Sequence, residues 1–163
     1  MPTYPALLTL HIIVGTLGLL LGPAVALSDT KTRRTPAPSH PTNLWRWYLR
    51  TLAAVGLTAT IMVLWHRPDL WWLIPLSALT YALADLGRRA RSRPNTWTHA
   101  YVHGLGGSYI ALWTATLVVA FALHGPLYGP SELIAWLGPT LVALPLLELW
   151  RRNLPAPVPA TAG

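Results

Sequence analysis

Long apolar stretches and short polar connections alternate along this chain. Five stretches stand out, roughly 4–27, 44–65, 70–86, 97–123 and 131–150. A helix rising about 1.5 Å per residue needs about 20 apolar residues to cross the hydrocarbon core of a bilayer. Four stretches meet that length. The third is the shortest and calls for a thin bilayer or little tilt. The pattern predicts an all-α, five-span transmembrane helical bundle. Residues 1–153 form its single domain and 154–163 a disordered, proline-rich tail.

The connections differ in charge. The first carries Lys31, Arg33 and Arg34, with Arg46 and Arg50 just beyond it. The second has Arg67 beside Asp69, the third has Arg88, Arg89, Arg91 and Arg93, and the fourth has no basic residue. Arg151 and Arg152 follow the fifth stretch. Basic residues on alternate sides place the N-terminus outside and the C-terminus inside. The first stretch ends near Ala24-Val25-Ala26, which resembles a signal-peptide cleavage site. No basic residue precedes that stretch and it exceeds a signal core in length, so it reads as an uncleaved first helix.

Turn and helix signals refine this picture. The segment 28–43, with Pro36, Pro38 and Pro41, reads as an irregular inner loop. Pro68 forces a tight outer turn after His66, 88–95 reads as a short basic inner loop, and 124–130 as a glycine- and proline-rich outer turn. Pro75 interrupts the third stretch, and Pro139 and Pro145 the fifth. Trp45, Trp47, Trp97 and Trp150 fall at inner ends and Trp65, Trp71 and Trp72 at outer ends, as two aromatic belts. Trp113 falls mid-span and should meet helices or lipid. Gly18 and Gly22 share a face of the first helix; Gly107, Ala111 and Ala115 share one on the fourth. Such faces let backbones approach, either within one chain or across a homodimer seam.

Composition agrees. The 163 residues are 53% hydrophobic and only 10% charged, where soluble domains carry about 25% charged residues. The net charge is +7, but the cations sit at helix ends, where they set orientation and meet anionic lipid rather than nucleic acid. Cysteine is absent, which removes disulfides and thiolate chemistry.

Ionisable residues inside spans are the candidates for chemistry. Counting depth along each helix puts Arg50, Asp85, His103 and Glu148 roughly 8–11 Å inward of the middle, on four different helices. They are the candidate ligand-binding residues, as one inner polar belt. His99 shares a helical face with His103, and Tyr101 and Ser108 lie nearby. Three uses of the belt stay open. One is an ion-pair network or snorkelling charges. Another is a pocket for a proton, lipid headgroup or quinone. The third is a divalent-metal site on His99 and His103 with a carboxylate such as Asp85. His66, His124 and His11 make a sparser outer set. A b-type haem needs two histidines at matching depth, and His11 and His103 differ by roughly 18 Å in this count. No phosphate-binding glycine loop, nucleophile elbow or H-E-x-x-H motif occurs.

Three motifs carry a resemblance. They are Leu10-His11-Ile12-Ile13-Val14-Gly15 leading to Gly22-Pro23; Arg46-Trp47-Tyr48 after His40; and His99-Ala100-Tyr101-Val102-His103 followed by Ser108-Tyr109-Ile110-Ala111 and, later, Trp136-Leu137-Gly138-Pro139-Thr140. Together they resemble an uncharacterised bacterial family of small multi-pass membrane proteins. The middle motif departs from it, with Pro41 where the family has Arg after His and Trp45 near its Gly. The resemblance implies an inner-membrane helical bundle in which His11, Arg46, His103 and Tyr109 have roles. It implies no activity.

The sequence therefore reads as a multi-pass protein of a bacterial cytoplasmic membrane, with lipid as its environment and a homo-oligomer or larger membrane complex as its setting. One reading of function is a non-enzymatic accessory or small-ligand-binding protein. The alternative is a small redox or metal protein, with haem or a divalent metal held by its histidines.

Overall fold

The computed structural model describes residues 3–34, 43–91, 97–123 and 125–154. It is all-helical: α1 (Thr3–Arg34), α2 (Asn43–His66), α3 (Leu73–Arg91), α4 (Trp97–Leu117) and α5 (Glu132–Asn153). Helices α1, α2, α4 and α5 are long and apolar enough to cross a membrane, over Tyr4–Lys31, Asn43–His66, His99–Phe121 and Gly129–Asn153. Helix α3 is different. Its uncharged part runs only from Leu73 to Ala84, about 18 Å of rise, before Asp85, Arg88, Arg89 and Arg91.

Helices α1 to α4 form a closed ring in chain order, with α1 returning to α4, and α5 packs against the outside of α4. Helix α4 touches α1, α3 and α5. Its glycines explain how one helix serves three neighbours. A Cβ on Gly104 would lie 2.5 Å from the Gly87 nitrogen of α3. A Cβ on Gly106 would collide with Leu147 of α5. The small face of α1 is also used inside the chain. A Cβ on Gly22 would stand 2.6 Å from the Tyr109 ring, and one on Gly18 would stand 3.2 Å from Leu112.

All five helices end or begin at a common basic end. The buried cluster there comprises Val25, Trp45, Tyr48, Leu49, Ala84, Ala90, Tyr101, Val102 and Leu105. Leu154, placed at the start of the tail by its sequence, is buried against the same cluster. Wide apolar surfaces remain exposed on α5, where Ile134, Leu141 and Val142 are about two-thirds exposed. An apolar surface of that extent suits hydrocarbon rather than water.

Several boundaries differ from the sequence reading. The segment from Ser28 to Arg34, expected as loop, continues α1. No proline or glycine lies between Ala24 and Arg34, and the Thr30 hydroxyl donates back to the Ala26 carbonyl at 2.7 Å. Residues 35–42, with His40, lie outside the described residues. Arg88 to Arg91, also expected as loop, continues α3. There Arg88 and Arg89 pair with Asp85 one turn back, at 2.6 Å each. Pro75 does not interrupt α3. The helix starts at Leu73, so Pro75 stands in the first turn, where no helical acceptor is lost.

The turn after α2 forms as Pro68 requires, a 3₁₀ turn over Pro68–Leu70. The far end of α4 widens into a π-helical segment, Val118–Leu123. Gly129, at φ 57°, opens the 3₁₀ turn that leads into α5, a backbone region glycine enters without strain. His124 lies outside the described residues.

A polar knot at one end and a cavity at the other

Two features of the bundle interior hold polar chemistry. The first is at the basic end. Asp29 of α1 is buried, at 3% exposure. Its Oδ2 accepts hydrogen bonds from the Trp45 indole of α2 at 2.9 Å and from the Tyr101 hydroxyl of α4 at 3.1 Å. Arg91 Nε of α3 lies 3.1 Å from Oδ1. That contact is an ion pair without hydrogen-bond alignment, since Oδ1 has no aligned donor among the described residues. Tyr101 also meets the Trp150 ring of α5 edge-on at 5.7 Å. One carboxylate and its ligands thereby join all five helices.

A second buried pair extends the knot. Tyr48 donates to the Ser108 Oγ at 2.9 Å, and Ser108 donates onward to the Leu105 carbonyl at 2.8 Å. Trp45 stands edge-on to both Tyr48 and Tyr101. Trp45 therefore belongs to the core, not to the interfacial belt in which its position placed it. Trp47, Trp65 and Trp71 are exposed, as belt residues should be. Trp72 pairs with Trp136 of α5 at 5.1 Å.

The four residues expected in one inner belt are not joined to one another. Asp85 bonds Arg88 and Arg89 of its own helix. Glu148 bonds Arg151 and Arg152 of its own helix. Arg50 sits over the Trp47 ring at 5.3 Å. His103 is exposed and stacks on His99 at 6.0 Å. Each charge found a partner one helical turn away, which requires no long-range convergence. Arg151 links α5 to α4, reaching His99 Nε2 at 3.2 Å. Arg46 is exposed, and Tyr109 packs on Gly22.

Among the described residues no group of three His, Asp or Glu side chains is placed to hold a metal. Nor, among the described residues, is any contact between histidines of different helices formed. His99 and His103 share α4, His66 stacks on Tyr4 at 4.6 Å, and His11 bonds Thr58. The pairing that a bis-histidine haem needs is therefore not set up by these four side chains.

The second feature is a cavity of about 330 Å³ in the other half of the ring. All four helices α1 to α4 line it, with Leu19, Leu52, Leu76 and Leu112 among its apolar walls. It exists because its walls are small. Gly15, Gly56, Ala59, Ala111 and Ala115 stand where the basic end has aromatic rings. Helices α1 and α4 touch at Gly18 and Gly22 and then separate, so a Cβ on Gly15 would meet nothing within 4 Å. The π-helical segment borders the cavity through Val119 and Ala120, and such segments recur at functional sites.

Among the described residues, His11 is the single ionisable side chain in the cavity wall. Its Nδ1 lies 2.8 Å from the Thr58 Oγ1. A shallower groove on the α2–α3 face shares Leu52, Gly56 and Ser77 with the cavity wall. No family model matches this chain, and neither a curated protein nor a solved structure is similar to it.

Proposed function

We propose that this chain is a non-enzymatic, multi-pass membrane protein that binds a small, mostly apolar ligand in the cavity beside His11. The cavity carries this reading. Its volume is about twice that of an engineered cavity that stays dry and takes up benzene, and it falls in the range of small-ligand sites. Its walls are apolar with a few polar groups, the pattern of a site that encloses a ligand and orients it. In this reading the Asp29 knot holds the helices together and is not itself a binding site.

The proposed setting is a bacterial cytoplasmic membrane, as the resemblance to small bacterial multi-pass proteins implies. The N-terminus is outside and the basic end inside, with α3 as a short fifth span whose arginines reach the inner headgroups. That orientation puts the cavity in the outer half and opens the α2–α3 groove to lipid. A ligand dissolved in the bilayer then has a sideways route past Gly56 and Ser77. An accessory place in a larger membrane complex fits the same reading.

The test uses the full chain in detergent. Butylbenzene, a ring with a short chain, should raise the thermal unfolding midpoint in a saturable way. Gly15→Leu should keep the fold, since its side chain enters open space, and should abolish that rise. Equal responses in both proteins would mean that the probe acts through the micelle and would defeat the proposal. A Soret band in the purified protein's visible spectrum would defeat it in favour of a haem protein.

A further inference from the structure

The cavity's hydrogen-bonding groups are all of one kind. Thr16 donates its hydroxyl hydrogen to the Ile12 carbonyl at 2.8 Å, and Thr116 donates to Leu112 at 2.9 Å. Ser77 donates to Ile74 at 2.8 Å, and Thr80 to Leu76 at 2.9 Å. Among the described residues these are every hydroxyl in the wall. Each has sent its one hydrogen back to its own helix, so only oxygen lone pairs remain for the cavity.

His11 follows the same rule for a different reason. Thr58 donates to the carbonyls of Ala54 and Val55, at 2.8 and 3.0 Å. The tautomer that satisfies all of these contacts has Nδ1–H donating to the Thr58 oxygen and leaves Nε2 without a hydrogen. The Val55 carbonyl is a further acceptor for the same ring, and with Nδ1 as the donor, Nε2 is the nitrogen left to accept from a ligand. The wall offers lone pairs and no hydrogen. No carboxylate stands in it to balance a cation, and an unpaired buried charge is strongly disfavoured.

We infer that the ligand is a neutral apolar molecule whose head is a hydrogen-bond donor, a phenol or alcohol of the ring-plus-chain size, and that it donates to His11 Nε2. This rests on the ligand-binding reading above. Acceptor-only heads, such as a quinone or an ether, would face lone pairs with lone pairs. A quinol head satisfies the wall and its quinone does not.

The experiment compares 4-butylphenol, its methyl ether 4-butylanisole, and butylbenzene on the full chain in detergent. The phenol should bind about tenfold or more tightly than either of the others, the scale of one well-placed hydrogen bond. His11→Leu should bring the phenol down to butylbenzene's affinity while butylbenzene binding stays. Equal affinity of the phenol and its ether would overturn the donor rule and leave the cavity reading intact. Tighter binding of a quinone than of its quinol would overturn it too. No binding of any probe would overturn the cavity reading itself. The three-probe comparison on the unmodified chain decides the matter even where His11→Leu does not fold.

Discussion

The two halves of the bundle use the same four helices and reach opposite interiors. At the basic end Trp45, Tyr48, Tyr101 and the adjoining Trp150 fill the space between helices. Their polar atoms converge on Asp29 and Ser108. In the other half Gly15, Gly56, Ala59, Ala111 and Ala115 leave about 330 Å³ unfilled. Hydroxyls there bond their own helices rather than one another. Polar contacts between helices gather at the closed end, while in the open half the wall hydroxyls bond locally and His11 to Thr58 is the contact described between helices. In the proposed reading stability and binding occupy separate places, and a change at either end should affect mainly one of them.

The largest expected effect is at the closed end. Asp29→Ala removes the carboxylate that faces Arg91 and accepts from Trp45 and Tyr101. It should cost about 3–5 kcal/mol of stability, as breaking a buried ion pair does. A denaturation midpoint in detergent measures this, and a loss of under about 1 kcal/mol would dissolve the distinction between the halves.

Two glycine substitutions sharpen the contrast. Gly104→Ala drives a methyl group into the α3 backbone, 2.5 Å from the Gly87 nitrogen. It should cost about 1–3 kcal/mol. Gly15→Ala meets open space and should be neutral or stabilising by up to about 1 kcal/mol, because a helical alanine loses less backbone entropy. The two unfolding curves should therefore move in opposite directions. Movement in the same direction would mean that the cavity half is as tightly packed as the knot.

The smallest effect lies outside both halves, at the α2–α3 turn. Arg67 bonds Asp69 at 2.9 Å and holds its carboxyl below the usual carboxylate range. A carboxyl depressed on folding stabilises the fold at pH above its ordinary value. That contribution fades as pH falls through the depressed one. Both side chains stand about half in solvent, at 42% and 59% exposure, so screening leaves little. Asp69→Asn should match the unmodified chain closely at neutral pH, and the remaining gap should close as the solution is acidified. A gap that widens on acidification would contradict the assigned pairing.

Much of the helical organisation was legible because periodicity and breakers are local. Pro68 placed the turn after α2, and the apolar runs placed four helices. Helix ends were harder to read. Ser28 to Arg34 and Arg88 to Arg91 are polar, which suggested loops, yet polar residues extend a helix when no breaker intervenes. That error hid Asp29. Its signal was available: it is one acid among Lys31, Arg33 and Arg34, on the side where cations gather. Depth counting placed Arg50, Asp85, His103 and Glu148 at similar levels but could not say that Asp85 and Glu148 would bond arginines one turn away. His11 was singled out; its partner Thr58 and the cavity beside it were not.

The sequence by itself determined four long apolar helices and the basic end, because each depends on residues near one another in the chain. Only the tertiary structure decided that Asp29 gathers partners from three other helices, and that α1 and α4 part beyond Gly18 to leave a cavity beside His11. Those outcomes depend on which side chains meet across helices. Helix rotation and crossing set those meetings, and no count along one helix contains them.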